Sequence, residues 1–506
     1  MIRSKRPATT GIAGSAPISI PQVQRTFGFA THARQTFAIA WTSFGTIAKS
    51  GSGLVLLAAI AILVVLFLPA VVLYHMGVPL LPRTATVIPL LTAPIAGNPG
   101  TPWILIPLLI IFYAGELVWR EREAGLSEIA DTTPVPEWVL FLGKFLGLSL
   151  VLVVWMALLT TAGVLVQVWM GYFDFEIGLY LQILFGLQLI DYLLFALLVF
   201  VVHAVVNQKH VGYLVALIAY GAITFPSMLG IEHNLLIYGS DPGWSYTDMR
   251  GFGPSLGPWL WFKLYWAAWG LLLAVAARLF WVRGSDQGLR MRLRLARRRF
   301  TRRTAGAATM VGALLLAVGG FIIYNTNVLN AYQSAAERTG RSVEYERRYG
   351  KYAGFPQPSL TGSNVRVEIY PRRREVEIRG TYSLVNRNTV AIDCIHLATV
   401  PGVETGEVIL DRPAARVLAD EDLGYRIYRL NNALQPGESL HLRFKVRFNP
   451  RGFRSNGIDD SVVANGTYFT SREWLPAIGY QRNRELVDAG ARRRHGLTPR
   501  PALPSL

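Results

Sequence analysis

The chain has 506 residues, 52% of them apolar and only 16% charged, against roughly a quarter charged in an ordinary soluble protein, which points to membrane rather than cytosol. The net charge of +18 does not argue for nucleic acid, because much of it sits in one block, Arg283 to Arg303, between two apolar stretches. There it reads as a topology signal facing anionic headgroups. The single cysteine, Cys394, excludes an intramolecular disulfide framework and a cysteine zinc cluster.

Along the chain, residues 1–24 read as a disordered tail, with Pro7 to Pro21 its least structured part, and no cleavable signal peptide follows the basic start. The first true span is therefore expected to act as an uncleaved signal. Residues 25–50 carry Phe27, Phe29, Phe37, Trp41 and Phe44 among small and basic residues. That composition suits a helix lying in the membrane interface, with a partly ordered tail as the alternative. A helix crossing the hydrocarbon core needs about 20 apolar residues. Seven stretches are expected to cross: Gly53–Tyr74, Trp103–Val118, Val139–Met170, Tyr180–Val206, Val211–Leu229, Pro258–Val282 and Ala305–Tyr324. The first six form a unit over 51–282.

Lys and Arg in the short loops set the orientation. With the amino terminus in the cytoplasm, the inside segments hold Arg25, Arg34 and Lys49, then Arg120 and Arg122, then Lys209, then nine arginines in a basic loop at 283–304. The outside loops hold Arg83 and Arg250. Seven spans then place the carboxy-terminal domain outside the cytoplasm.

Beyond the seventh span, 325–351 reads as a short polar linker and 352–506 as an all-β module. Val365, Val367 and Ile369 alternate with polar residues, as do Val376 and Ile378, and Leu440, Leu442, Phe444, Val446 and Phe448. Period-two alternation marks half-buried strands, and Gln435-Pro436-Gly437 supplies a turn before the last of them. The fold class is thus an α-helical membrane protein followed by a β sandwich.

The most informative loop runs from Glu116 to Glu137. Charges of both signs, then Gly125, then Pro134 and Pro136, describe a short amphipathic helix and a rigid turn into the next span; an ordinary solvated loop is the other reading. Arg120, Glu121, Arg122, Glu123, Gly125, Thr133, Pro134, Gly143 and Lys144 resemble the cytoplasmic coupling region of type-2 ABC exporter permeases. The likeness extends over about Arg25 to Val282. It implies a loop that docks on an ATPase subunit and passes its closure to the spans, and a pathway built with a second copy or a paralogous permease. Membrane lipids are the other expected partner, and the bacterial inner membrane the expected location. The chain holds no G-x-x-x-x-G-K-S/T loop to cradle phosphates. ATP is thus expected on the partner, and no cofactor in this chain.

Charged residues inside spans cost about 2.5–3.5 kcal/mol each on insertion scales unless paired. Asp191, with Gln188 one turn before it, is the deepest of these, a functional candidate or an interhelical contact. Lys263 and Arg278 lie nearer the ends of the sixth span and can snorkel.

Val365 to Val385 and Asn465 to Tyr480 resemble the amino-terminal β-domain of zinc aminopeptidases related to aminopeptidase N, and bacterial fusions of a permease to such a peptidase form a family of their own. That activity needs H-E-x-x-H on one helix face. Here His203 and His210 are seven apart, His233 follows Glu232 in the wrong order, and Gly-x-Met-Glu-Asn is absent. No catalytic or metal-binding residue carries over. A non-enzymatic permease subunit is expected, the rivals being a membrane-anchored relative or fragment of a zinc peptidase and a tethered binding module.

Overall fold

The computed structural model describes residues 28–49, 58–59, 61–62, 65–66, 81–92, 105–126, 132–281 and 288–500. The tail expected at 1–24 lies outside them, as does the first expected span apart from six helical positions between 58 and 66.

Helix α1 (Phe29–Lys49) turns Thr36, Ala40, Ser43 and Ile47 inward at helical spacing and leaves Phe29, Phe37 and Trp41 exposed. Its inner face lies on α4 (Glu137–Trp169), which starts after Pro136 and has Glu137 in its first turn. Small residues make the approach close. A methyl group on Gly143 would lie 2.7 Å from Ile39 Cβ, and one on Gly147 would lie 2.5 Å from Ser43 Cβ and 2.9 Å from the Ala40 carbonyl oxygen. Between these helices in sequence come α2 (Thr84–Thr92) and α3 (Leu105–Glu123). Helix α5 (Ile177–Val206) follows, with one π-helical stretch, Leu181–Gln188. It ends at Asn207, a left-handed residue (φ 52°), before α6 (Lys209–Thr224). Helix α7 (Leu256–Phe280), the basic helix α8 (Leu289–Arg299) and α9 (Arg302–Ile323), extended to Val328 by a π turn, complete this half. Trp155, Tyr180 and Phe200 are fully enclosed in its core.

Seven spans were the expectation. Among the described residues, four helices are long and apolar enough to cross a membrane: Glu137–Trp169, Ile177–Val206, Gly253–Phe280 and Arg302–Val328. The second expected span is the helix α3, which runs on through Arg120-Glu121-Arg122-Glu123, so that the helix expected after Glu116 is the end of the span helix itself. The fifth is α6, 16 residues long and stopped by Pro226, where the chain tightens to a 3₁₀ turn. The basic block is also helical over Leu289–Arg299. Arg292 is buried and donates to the carbonyls of Ala204 (3.1 Å), Val205 (2.7 Å) and Phe280 (3.3 Å). It satisfies the last carbonyls of α5 and α7, where a cation is also favoured by the helix dipole. Arg290, Arg294, Arg297 and Arg298 remain exposed.

Segment 325–351, expected as a linker, is built structure. Ser334 and Glu337 form a reciprocal capping box that starts α10 (Ala335–Tyr349). Its Tyr349 stacks on Tyr425 (ring centroids 4.2 Å apart) and Tyr345 on Tyr480 (5.1 Å).

The β half is antiparallel. One sheet has the order β1 (Ser359–Tyr370), β2 (Glu375–Val385), β8 (Ser439–Phe448), β4 (Glu404–Thr405), with β5 (Ile409–Leu410) also on β8. The other runs β6 (Ala414–Asp420), β7 (Tyr425–Leu434), β3 (Ile392–Ala398), β9 (Ala477–Ile478). Strands β2 and β8 bury alternate residues, as their pattern requires. Strand β1 does not: Val365, Val367 and Ile369 are exposed, although they share the face of Gly380, Ile378 and Val376 across the ladder.

Two groups make this half acid-sensitive. His396 is buried and its Nδ1 lies 2.9 Å from the Tyr425 hydroxyl. Burial holds its pKa below the ordinary 6.5, so the unfolded chain takes a proton first and stability is lost as pH falls below that value. Burial alone would raise the Asp420 carboxyl, but the Tyr349 hydroxyl, the Leu423 N–H and Arg348 outweigh it and hold it below the ordinary 3.8. Its contribution is present above that value and lost as pH falls through the lower folded one. The melting temperature of the full chain is expected to drop from pH 7.5 to 5.5, and less so in His396→Gln. Equal drops in both proteins would refute the assignment to His396.

Candidate functional site

The charged residues singled out between the second and third expected spans converge on the end of α3. Helix α3 stops in a Schellman turn: Leu126 N–H donates to Glu121 C=O (2.8 Å), Gly125 N–H donates to Arg122 C=O (3.2 Å), and Gly125 has φ +68°. Only a glycine adopts that conformation without strain, which explains its place after the charged run. From this end, side chains reach four other elements. Arg120 donates to Thr46 on α1. Glu121 pairs with Lys144 on α4 at 2.5 Å, and the lysine is buried there. Arg122 donates to the Asn207 side chain after α5 (2.6 Å) and lies over the Trp119 ring at 4.9 Å. Glu123 pairs with Lys209 on α6 at 2.7 Å.

Of the residues proposed for coupling, Arg120, Glu121, Arg122, Glu123 and Lys144 are therefore one cluster, with Gly125 as its helix stop. Pro134 is exposed in the extended stretch before α4. Gly143 serves the contact with α1. Sequence reasoning missed Glu116, which also binds Lys209 (2.8 Å) and accepts from the Tyr213 hydroxyl (3.2 Å). His203, weighed in the sequence only against a zinc motif, is buried, and its Nδ1 accepts from Trp119 Nε1 at 3.2 Å. The available signal was a histidine and a charged residue each inside an apolar run. Since the ends of α3, α5 and α7 and the starts of α4, α6 and α9 share this side, Arg120, Arg122, Lys209 and the arginines of α8 all gather there.

A second polar cluster lies between α5 and α7. Lys263 was expected to snorkel toward a span end. It is instead buried, with Nζ 2.5 Å from Asp191 Oδ1, 2.5 Å from Asp241 Oδ2 and 2.6 Å from the Gly239 carbonyl oxygen. The ammonium donates to that carbonyl and forms an ion pair with each of the two carboxylates. Asp241 comes from the loop between α6 and α7, so the Asp191 candidate is half of a bridge that ties that loop to the helices. Gln188 and Asp191 both border a cavity of about 800 Å³.

The same loop meets the β half. Asn234 donates to the Ser455 carbonyl, Asn465 to the Met249 carbonyl, and Arg250 pairs with Asp460. Phe453 packs near Phe262 and Phe321 at the ends of α7 and α9 (ring centroids 6.3 and 6.1 Å apart).

Residues 51–227 match the family described as ABC-2 family transporter protein. The matched segment contains the α3 cluster and Asp191, and ends before Asp241, Lys263 and the β half. No curated protein matches the chain. Together with the four long apolar helices, the match supports an ABC-2 type permease in an integral membrane protein, a family that usually works with an ATPase subunit.

Proposed function

We propose that the chain is the permease subunit of an ABC-type exporter, moved by a separate ATPase subunit and paired with a second permease. The observation that carries this reading is the charged end of α3. It lies inside the family match and is tied to α1, α4, the end of α5 and α6 at once. A subunit pressing on that end would move all four together, which is what conversion of ATPase closure into a change of the pathway needs. The gathering of Arg and Lys at the same side supports a cytoplasmic position for it, with the β half beyond the opposite face. The first expected span and α3 and α6 then complete the crossings. The β half is read as an aminopeptidase-like module without catalytic residues, so that the chain itself is not an enzyme.

The test is co-purification of the full chain with an ATP-binding subunit encoded beside it, from membranes. Arg122→Glu with Glu123→Arg is expected to reduce recovery of that subunit at least about tenfold, a loss of roughly 1.4 kcal/mol in binding. Undiminished recovery from the double variant would remove the α3 end from the coupling role.

A further inference from the structure

The cavity beside Asp191 has a composition that selects its occupant. It lies between α2, α5, α6 and the loop before α7, and its walls carry two carboxylates, Asp191 and Asp241, with Tyr192, Tyr220, Tyr238 and Trp244. Among the described residues that line it, none is Lys, Arg or His. Lys263 stands behind the carboxylates, ion-paired with Asp191 and Asp241 and donating to the Gly239 carbonyl. Two negative groups against one positive leave the cluster one charge negative. The Asp191 side chain opens on the cavity, 37% accessible against 5% for that of Lys263, while its Oδ1, on the lysine side, is buried. The Tyr220 hydroxyl is buried and has no hydrogen-bond partner among the described residues.

From this arrangement we propose that the cavity is a binding site for an amphipathic organic cation. An anion would meet uncompensated carboxylates with no donor cation. A small hard cation needs several oxygen ligands converging on one point, and no group of three or more His, Cys, Asp or Glu that could hold a metal ion stands together among the described residues. An organic cation gains on both counts: its charge faces Asp191 and Asp241, and its apolar body faces rings whose π faces attract cations. The volume suits one molecule of drug size. As cargo, this ligand rests on the permease reading. As a bound molecule it does not, and its binding is measured on the purified full chain with no ATPase present. Binding without ATPase recruitment would leave the site standing and remove the permease reading; recruitment without binding would do the reverse.

The probe is radiolabelled tetraphenylphosphonium on the full chain in lipid nanodiscs, with neutral triphenylphosphine oxide as the uncharged counterpart. Saturable binding of one cation per chain is expected, at least about tenfold tighter than the neutral compound and weakened about tenfold in Asp191→Asn, the size of one desolvated cation contact. Asp191→Asn leaves Lys263 paired with Asp241. Should that variant still fail to fold, Trp244→Leu, which lies outside the ion pairs, carries the test with a loss of about threefold or more, within the range of a single cation–ring contact. Equal affinity for the charged and neutral probes, no saturable binding, or binding indifferent to the variants that fold would each overturn the proposal.

Discussion

Lys263→Met is expected to lower folding stability by about 3–5 kcal/mol, because removing one partner of a buried ion pair leaves the other charge uncompensated. Here two carboxylates lose their common cation. Asp241, only 12% accessible in its side chain, would bear most of the penalty, and Asp191, which opens on the cavity, less. The variant should melt well below the native protein in detergent and be recovered poorly as a monodisperse species. The triple variant Asp191→Asn, Asp241→Asn, Lys263→Met removes every charge at once. It is expected to recover most of the loss, since a neutral replacement of a buried charged triad is often close to neutral in stability. If Lys263→Met alone melts with the native protein, the bridge does not hold the loop to the helices.

Gly147→Leu is expected to displace α1 from α4. A Cβ at this position already falls 2.5 Å from Ser43 Cβ, 2.9 Å from the Ala40 carbonyl oxygen and 3.2 Å from the Phe44 nitrogen. Two of those atoms are backbone and cannot rotate away. Overpacking costs about 1–3 kcal/mol where side chains can yield, and here the relief available is separation of the helices. Hydrogen exchange over Phe29–Lys49 should rise at least about tenfold, the size of a loss near 1.4 kcal/mol in local stability. Gly45→Ala serves as the control, because nothing lies within 4 Å of a methyl group there and alanine favours the helix. Unchanged exchange in Gly147→Leu would mean that the contact is not what fixes α1.

The elements that sequence alone revealed are those whose pattern is local. A helix was expected within 25–50 from its aromatic, small and basic composition, and one is found at Phe29–Lys49. Strands β2 and β8 follow their period-two alternation residue by residue. What sequence could not give depends on distant partners. The Glu116 carboxylate looks like the start of a solvated loop until Lys209 and Tyr213 approach it. Lys263 looks like a snorkelling residue until Asp191 and a loop aspartate enclose it. Strand β1 has the same alternation as β2 yet stays exposed, since alternation predicts a face that could be buried and not whether anything covers it. Helix α10 was hidden because its inward residues are Val343, Tyr345 and Tyr349 in a strongly polar run, and tyrosines pack as readily as they face water.

The stretch between α6 and α7 is held from two directions. Asn234, Met249 and Arg250 fasten it to the β half, and Asp241 fastens it to Lys263. Such a strap makes the two halves thermodynamically conjugate. If a molecule captured by the β half shifts the strap, it changes the affinity at Asp191 by some factor, and a guest beside Asp191 must change affinity at the β half by that same factor.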